Sequence, residues 1–425
     1  MYKAFLIAAA ILAALVPDAA AEVKYYADYI THWGVPQGLL PLTEEQAARR
    51  AESYRIETEE GKVRRFTLVN GSGHTPNLLW DGEIPPLVDA EYKYDAEGRL
   101  AYVTEYDHAG KTIRFHSYRH LSRNCVTIKF DSRDVNYPAN PDSPWGEDPI
   151  KEKVSSWRVT FDNVGRKQEV AYLSYGLQPT GNVEGVQKRY FTYSQEGFLL
   201  AIRYSGHLKK LGYAEQKWQY DAKGNITKTE WLDEKGKLTF NKQGEAFLSF
   251  KYDAYGNMIE SISFDPQGKP CKNSDGYTKN VVLHDKKGNI VQNNYFDEEG
   301  QPCRKKGLAE ERYKYDARGN CVESRGFGLD GKLCLSEQGW AKAKHKYDEK
   351  NHCIETAFFG VDGQPCESEE GFAKITFGFD RYGNLNAIAY FDAEGHPCAG
   401  PEGFAIAKFS LREDGEILGC EFLDP

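Results

Sequence analysis

The chain has 425 residues, a formal net charge of −9 and 28% charged residues, with a mean hydropathy of −0.64. An acidic balance without a basic cluster argues against nucleic acid or an anionic membrane surface as partner. Beyond the first twenty residues no apolar run is long enough to span a bilayer, so no stable membrane insertion is expected.

Lys3, the apolar run Ala4 to Val16 and the small residues Ala19-Ala20-Ala21 form an export signal over residues 1–21. Cleavage before Glu22 predicts a bacterial protein in the periplasm or outside the cell. Residues 22–93 are non-repetitive, and their clearest local signal is Thr43-Glu44-Glu45-Gln46, a capping box opening a short helix through about Arg50. Gly71-Ser72-Gly73-His74 is a polar loop without the strand-to-helix setting a nucleophilic Ser needs.

From Tyr94 turn motifs recur. Tyr94-Asp95-Ala96-Glu97-Gly98-Arg99-Leu100 is followed twelve residues later by Tyr106-Asp107-His108-Ala109-Gly110, and Phe161-Asp162 and Tyr193-Ser194 open eroded copies. Residues 94–215 are therefore read as irregular repeats, interrupted by an insertion over 136–149 that carries Pro138, Pro141, Pro144 and Pro149.

Residues 216–425 are regular. An aromatic residue, Asp, two variable residues, Gly and usually Asn recur with Asp at 221, 253, 285, 316, 348 and 380, and a decayed copy spans Leu411 to Glu416. A fixed period of about 32 residues marks an array whose units bury apolar surface against their neighbours. A second turn follows twelve residues after the first, as Asp233-Glu234-Lys235-Gly236 follows Asp221. In Asp-x-x-Gly the carboxylate caps the turn amides and Gly accepts a positive φ. A third mark is Gly, an apolar residue and Ala, as in Gly339-Trp340-Ala341 and Gly371-Phe372-Ala373.

Three full reversals per repeat would make equivalent strands alternate in direction, so the third mark is read as a bend in one long strand. The predicted fold is all-β: a tandem array of hairpins, two strands per repeat, in a continuous twisted, mostly antiparallel sheet with one short N-terminal helix. Two strand spacings per repeat correspond to about 9.6 Å. A β-propeller blade would need four strands and roughly 40 to 45 residues.

Tyr-Asp-x-x-Gly-Arg-Leu resembles the YD repeat of the RHS family, whose members build large curling β-sheet shells from such hairpins. The resemblance covers Tyr94 to the C-terminal residues through the turn motif. The period here is longer than the usual YD repeat, and most copies read Gly-Asn where the family prefers Gly-Arg.

Cys271, Cys303, Cys334, Cys366 and Cys398 occupy one position in five successive repeats, and Cys321 and Cys353 share another. Small side chains recurring once per repeat form a packing ladder, so these are expected to be reduced thiols. No CxxC pair or glycine-rich calcium repeat is present, so neither metal nor cofactor is expected. Tyr220, Tyr252, Tyr315, Tyr347 and Phe379 precede the first turn, and Phe264, Phe296, Phe359 and Phe391 recur near the second, as ladders that stabilise a sheet. Trp231, Tyr295 and Tyr390, on the opposite strand face, are the candidate aromatics of an exposed binding face.

No catalytic constellation stands out: ten histidines are scattered, and carboxylate pairs are too many to single out one. The preferred functional reading is an exported, non-enzymatic scaffold binding another macromolecule, a protein partner, through an extended repeat surface. The alternatives are a cell-surface protein binding carbohydrate such as a cell-envelope polysaccharide, and an enzyme with its site in the N-terminal half.

Overall fold

The computed structural model describes residues 21–75, 89–107, 110, 112–131, 154, 156–174, 176–182, 184–412 and 417–425. Residues 1–20 of the expected export signal, the proline-rich segment 136–149 and most of the decayed turn, 413–416, lie outside the described residues. The first strands are β1 (Glu22–His32), β2 (Val35–Leu42), β3 (Ser53–Glu59) and β4 (Lys62–Val69), with helix α1 (Glu44–Ala47) between β2 and β3. The irregular repeats give β5 (Asp89–Tyr94), β6 (Leu100–Tyr106), β7 (Thr112–Ser122), β8 (Cys125–Asp131), β9 (Ser156–Phe161), β10 (Lys167–Leu173), β11 (Val186–Tyr193) and β12 (Leu199–Gly206). The regular repeats begin with β13 (Glu215–Tyr220), β14 (Ile226–Leu232), β15 (Phe247–Tyr252), β16 (Met258–Phe264), β17 (Lys279–His284) and β18 (Ile290–Phe296). They continue with β19 (Glu310–Tyr315), β20 (Cys321–Phe327), β21 (Lys342–Tyr347), β22 (Cys353–Phe359), β23 (Lys374–Phe379), β24 (Leu385–Phe391), β25 (Ile406–Leu411) and β26 (Ile417–Leu423).

All 26 strands belong to one antiparallel sheet, as the hairpin array predicts. Its order is β2, β1, β3 and then sequential to β26, because β1 pairs with both β2 and β3. Residues 22–69, from which no strand had been read, are thus part of the same sheet. The predicted capping box is present: Thr43 N–H donates to Gln46 Oε1 at 2.8 Å and Gln46 N–H to Thr43 Oγ1 at 3.2 Å. The helix ends at Ala47 rather than Arg50. The residues that follow are drawn instead to a distant repeat, where Ala51 N–H bonds Asn257 Oδ1 at 2.8 Å.

Each repeat is a hairpin. Strands β15 and β16 pair over six positions, whereas β14 and β15 pair over three, so the hairpin is the unit and the shorter junction joins units. The first turn shows why its residues recur. Asp253 Oδ1 accepts the N–H groups of Tyr255 and Asn257 at 2.8 and 2.9 Å, and its Oδ2 accepts Asn257 Nδ2 at 3.0 Å. Burial alone would raise the Asp253 pKa, but these bonds outweigh it and hold the carboxyl below the usual range. Gly256 closes the turn at φ 89°. Where Arg replaces Asn it takes over the same bond: Arg99 Nε lies 2.8 Å from Asp95 Oδ2, and Arg166 Nε 2.7 Å from Asp162 Oδ2. Next to this turn the register slips, as between Lys251 and Tyr252, in every hairpin from β11/β12 to β25/β26. A bulge repeated at one position adds the same extra twist to every unit.

The third mark is a correction. It is not a bend but a hydrogen-bonded turn: Ser336 N–H donates to Trp340 O at 2.9 Å and Gly339 N–H to Ser336 O at 3.0 Å. The parity argument still counts two strands, because the chain between the second and third turns makes only an isolated bridge, such as Phe327↔Leu333. Ala246, Ala341 and Ala405 after this turn are fully buried. The residue there bonds both neighbouring strands: Ala341 N–H donates to Phe359 O at 2.9 Å while its carbonyl accepts Gly326 N–H at 2.9 Å. The same two bonds are made where the position holds Thr278, which is also buried.

Successive hairpins are stapled by the tyrosine of the motif. Tyr252 OH donates to Ile226 O at 2.8 Å, Tyr315 OH to Ile290 O at 2.8 Å and Tyr347 OH to Cys321 O at 2.9 Å. The cysteine ladder does similar work: Cys271 Sγ lies 3.7 Å from Gly244 O and Cys366 Sγ 3.7 Å from Gly339 O, each in the preceding repeat. All nine cysteines are free thiols. Burial pushes the Cys334 and Cys366 thiols above the ordinary range, and that of Cys321 up to about 11.

Neighbour contacts are not the whole molecule. Residues 30–72 lie as a strap across the first turns of successive repeats. Trp33 N–H donates to Gly165 O at 2.7 Å, and Leu40 covers Gly224. Asn257 Nδ2 bonds Arg49 O at 2.9 Å. Lys287 Nζ reaches Ser72 Oγ at 3.1 Å, and Asn70 Nδ2 bonds Arg318 O at 3.0 Å. A Cβ on Gly165, Gly224, Gly256, Gly288 or Gly319 would collide with the strap, so these turns require glycine for close approach as well as for conformation.

Candidate functional site

A large hollow lies beneath the β1/β2 hairpin, where the irregular repeats meet the regular ones. Ile30 and Leu39 of the hairpin face Trp157, Tyr172, Phe191, Tyr204, Trp218 and Tyr220 from strands β9 to β13, around a cavity of about 710 Å³. Strand alternation explains the lining: Phe191 and Tyr193, Trp218 and Tyr220 are two residues apart and share a face. The volume falls within the range of small-molecule sites. Charged and polar side chains stand among the aromatic rings of the wall. Arg189 lies over the Tyr172 ring at 5.4 Å, Glu184 pairs with Lys242, and Asp28 Oδ1 accepts Tyr29 N–H at 2.7 Å.

Burial shifts both titratable walls toward neutrality. Desolvation, aided by the charge of Arg189, lowers Lys167 to about 7, and desolvation raises Asp28 to about 6 despite the Tyr29 bond and the Arg50 charge. Aromatic faces with polar edges suit a ring-bearing ligand. Among the described residues no His, Cys or Ser lines this chamber. Among the described residues no group of three or more His, Cys, Asp or Glu is placed to hold a metal ion, and no helix is long and apolar enough to cross a membrane.

The three candidate binding-face aromatics are not exposed. Trp231, Tyr295 and Tyr390 retain 8%, 2% and 5% of their accessible surface. The third turn folds its apolar residue back over them. Tyr295 packs on Tyr277 at 5.0 Å, and Tyr390 lies between Phe372 at 4.9 Å and Phe404 at 5.8 Å. Tyr390 OH bonds Glu402 Oε2 at 3.1 Å. Where the same position holds Gly326, Leu308 of the third turn fills the space, and where it holds Ser263 the hydroxyl bonds Glu245 Oε1 at 2.9 Å. The Gly-apolar-Ala mark and these aromatics are two halves of one column, which the sequence separated because the third turn was read as a bend. Trp231 alone of the three lines the chamber.

The opposite face is periodic, its phenylalanines half-buried apart from Phe327, which is buried. Lys279 lies over Phe296 at 4.6 Å, Arg312 over Phe327 at 4.3 Å, Lys342 over Phe359 at 4.5 Å and Lys374 over Phe391 at 4.2 Å. The phenylalanines near the second turn were legible as a ladder; their cations were not, because the pairing depends on register. Also unforeseen is a buried ionic cluster on β6 and β7, where His116 Nε2 lies 2.7 Å from Glu105 Oε1 and Arg114 Nη1 lies 3.4 Å from its Oε2. The loop Gly71 to His74 anchors the strap: Asn70 Oδ1 accepts Ser72 and His74 N–H at 2.9 and 3.1 Å.

No family model matches the chain, and no curated protein does. Among solved structures it is similar to TcdB2-TccC3-TEV, at 13% identity and a TM-score of 0.39 over 90% of this chain and 20% of that one. It is also similar to the Tc holotoxin pore of Photorhabdus luminescens, at 10% identity and a TM-score of 0.31, over 87% of this chain and 18% of that one. TcdB2-TccC3 without its hypervariable C-terminal region gives 10% identity and a TM-score of 0.26, over 95% of this chain and 24% of that one. The chain spans a quarter or less of these proteins' length. At such identities and TM-scores the likeness says nothing of partner or activity.

Proposed function

We propose that the protein is an exported, non-enzymatic β-repeat scaffold that binds another protein through the outer face of its regular repeats. The observation that carries this reading is the row of one cation stacked on one phenylalanine per repeat, from Lys279/Phe296 to Lys374/Phe391. Aromatic side chains are enriched in protein interfaces, and a cation row suits a partner with carboxylates spaced along an apolar strip. The apolar run Ala4 to Val16 and the small residues before Glu22 support export. The Asp-Arg bonds at Asp95 and Asp162 support the RHS resemblance as one of hairpin construction.

The test is capture from the source organism's extract on immobilised protein, beside the double variant Lys342→Glu/Lys374→Glu. One protein retained by the native chain and lost by the variant is the expected result. Retention that ignores the variant would remove the outer face from the reading. The aromatic chamber favours a second reading, carbohydrate binding, and a specific glycan-array hit with no protein partner would put it first.

A further inference from the structure

One column of the sheet breaks its own rule inside the aromatic chamber. In every hairpin from β11/β12 to β25/β26 the residue opening the second strand, beside the slipped register, is Leu, Ile, Met or Cys, as at Leu199, Ile226, Met258 and Cys321. In β9/β10 the same position, opposite Phe161, holds Lys167. The register there slips between Lys167 and Glu169, and a bulge re-aims the side chain beside it. Lys167 lines the chamber with Val170 and Tyr172, whereas Glu169 bonds Lys188 Nζ at 3.0 Å. Arg189 reaches the chamber from the next strand, where it stands opposite Val170 and shares a face with Phe191 and Tyr193. It is near enough for its charge to act on Lys167. Two like charges brought together among aromatic rings repel, and an anion between them offsets that cost. The carboxylates on the wall stand elsewhere: Glu184 pairs with Lys242, and Asp28 accepts Tyr29 N–H and feels the charge of Arg50.

We propose that the chamber binds a small ring-bearing carboxylate, its ring between the aromatic faces and its carboxylate between Lys167 and Arg189. A volume of about 710 Å³ admits such a molecule whole. Trp157, Tyr172 and Trp218 offer broad faces to a flat ring, and Thr31, Gln216 and Gln243 offer hydrogen-bonding groups along the same wall. Arg189, which lies over Tyr172, holds a planar fork that matches a carboxylate, and Lys167 adds a point charge. The ring is aromatic or a sugar; the shared chemistry is one ring and one carboxylate. The inference goes beyond the scaffold reading and does not depend on the outer-face row.

The test is calorimetric titration of the full chain with two acids and their uncharged counterparts: phenylacetate beside phenylacetamide, and glucuronate beside glucose. Saturable 1:1 binding of at least one acid is expected, at least about tenfold tighter than its uncharged counterpart. Which acid binds decides between an aromatic ring and a sugar. Lys167→Leu restores the residue type of the column, so the hairpin keeps its packing while the acid should bind at least about tenfold more weakly. Arg189→Gln should weaken it as well, and Lys167→Arg should keep most of it. Circular dichroism checks that each variant stays folded. The inference is overturned if neither acid binds, if the uncharged counterpart binds as tightly, or if binding is indifferent to either variant. Glucose bound as tightly as glucuronate would remove the charge assignment and still support the carbohydrate reading. Loss of the outer-face partner would leave the inference untouched.

Discussion

Residues 215–411 and residues 28–75 are held by different kinds of contact. In the first region bonds recur at sequence separations of 25 to 31 residues, from Tyr315 to Ile290, Cys366 to Gly339 and Lys350 to Arg381. In the second they reach 206 to 248 residues, from Ala51 to Asn257 and Asn70 to Arg318. Burial differs as well: the two contiguous apolar cores are centred on Val126, Trp157 and Tyr172 and on Phe66, Tyr92 and Val103, while the regular repeats rely on alanines and one aromatic column. A periodic array extends itself without limit; the strap is what ties five of its first turns into one body.

The largest expected effect separates the two regimes. Deleting Asp348–Phe379 joins Tyr347 to Asp380 and removes one unit that the strap does not touch. It should leave a cooperatively folded protein, as an array permits. Deleting Asp285–Tyr315, also one unit, removes a turn under the strap and displaces Arg318 from Asn70. It should cost about 1 to 3 kcal/mol more than the first deletion, from the Ser72 and Asn70 bonds lost together. Urea unfolding of both variants decides this; equal midpoints would mean that the strap carries no stability.

A smaller effect comes from one turn residue in two settings. Asn225 and Asn257 both bond the aspartate of their own turn, at 2.9 and 3.0 Å. Asn257 also donates to Arg49 O and accepts from Ala51 N–H, and it is buried. Asn257→Ala should therefore destabilise by about 2 to 3 kcal/mol, against about 1 kcal/mol for Asn225→Ala. A thermal melt that ranks them equally would show that the strap's bonds exchange freely with water.

The comparison also sets the sign of a pH effect. Repeat carboxylates such as Asp253 and Asp316 sit below their usual range, where hydrogen bonding outweighs burial. Their stabilisation is present above the unfolded pKa and lost as pH falls through the folded one. Asp28 is the reverse: burial raises it to about 6, so its contribution is complete below the unfolded pKa and lost as pH rises through about 6. Asp28→Asn should then stabilise the protein by about 1 to 3 kcal/mol at pH 7, with the gain gone near pH 4. A gain that persists at pH 4 would point to packing instead of charge.

What could be read beforehand follows the same division. Period, hairpins and turn chemistry are local and repeat six times, and the cysteine position recurs five times, so Asp-x-x-Gly-Asn and the cysteine spacing announce them. The strap does not repeat. Nothing in Leu40, Arg50 or Asn70 signals a partner two hundred residues away, and its only trace is a first-turn glycine that conformation alone already explains. The strand face of Trp231, Tyr295 and Tyr390 is legible in the sequence but their burial is not, because what covers them is a third turn that strand parity argues against.

The smallest effect tests whether the staple between neighbours is a hydrogen bond or a packed ring. Tyr347→Phe removes the bond to Cys321 O at 2.9 Å and leaves a buried carbonyl unpaired, so it should cost about 1 kcal/mol. The next repeat has already made this change: Phe379 stands at the tyrosine position, and its ring stacks on His352 at 4.2 Å and 12°. His352 replaces the turn asparagine and bonds Asp348 Oδ2 through Nδ1 at 2.7 Å, so the imidazole both closes its turn and supplies a face to the ring above. In that setting the stack takes the place of the staple. His352→Asn should therefore cost more than the ordinary asparagine turn would suggest, and the double variant His352→Asn/Phe379→Tyr should recover most of the loss by restoring the pair found in the other repeats. Chemical denaturation of the single and double variants gives the coupling directly. A coupling near zero would mean that the two positions vary independently and that the staple is packing alone.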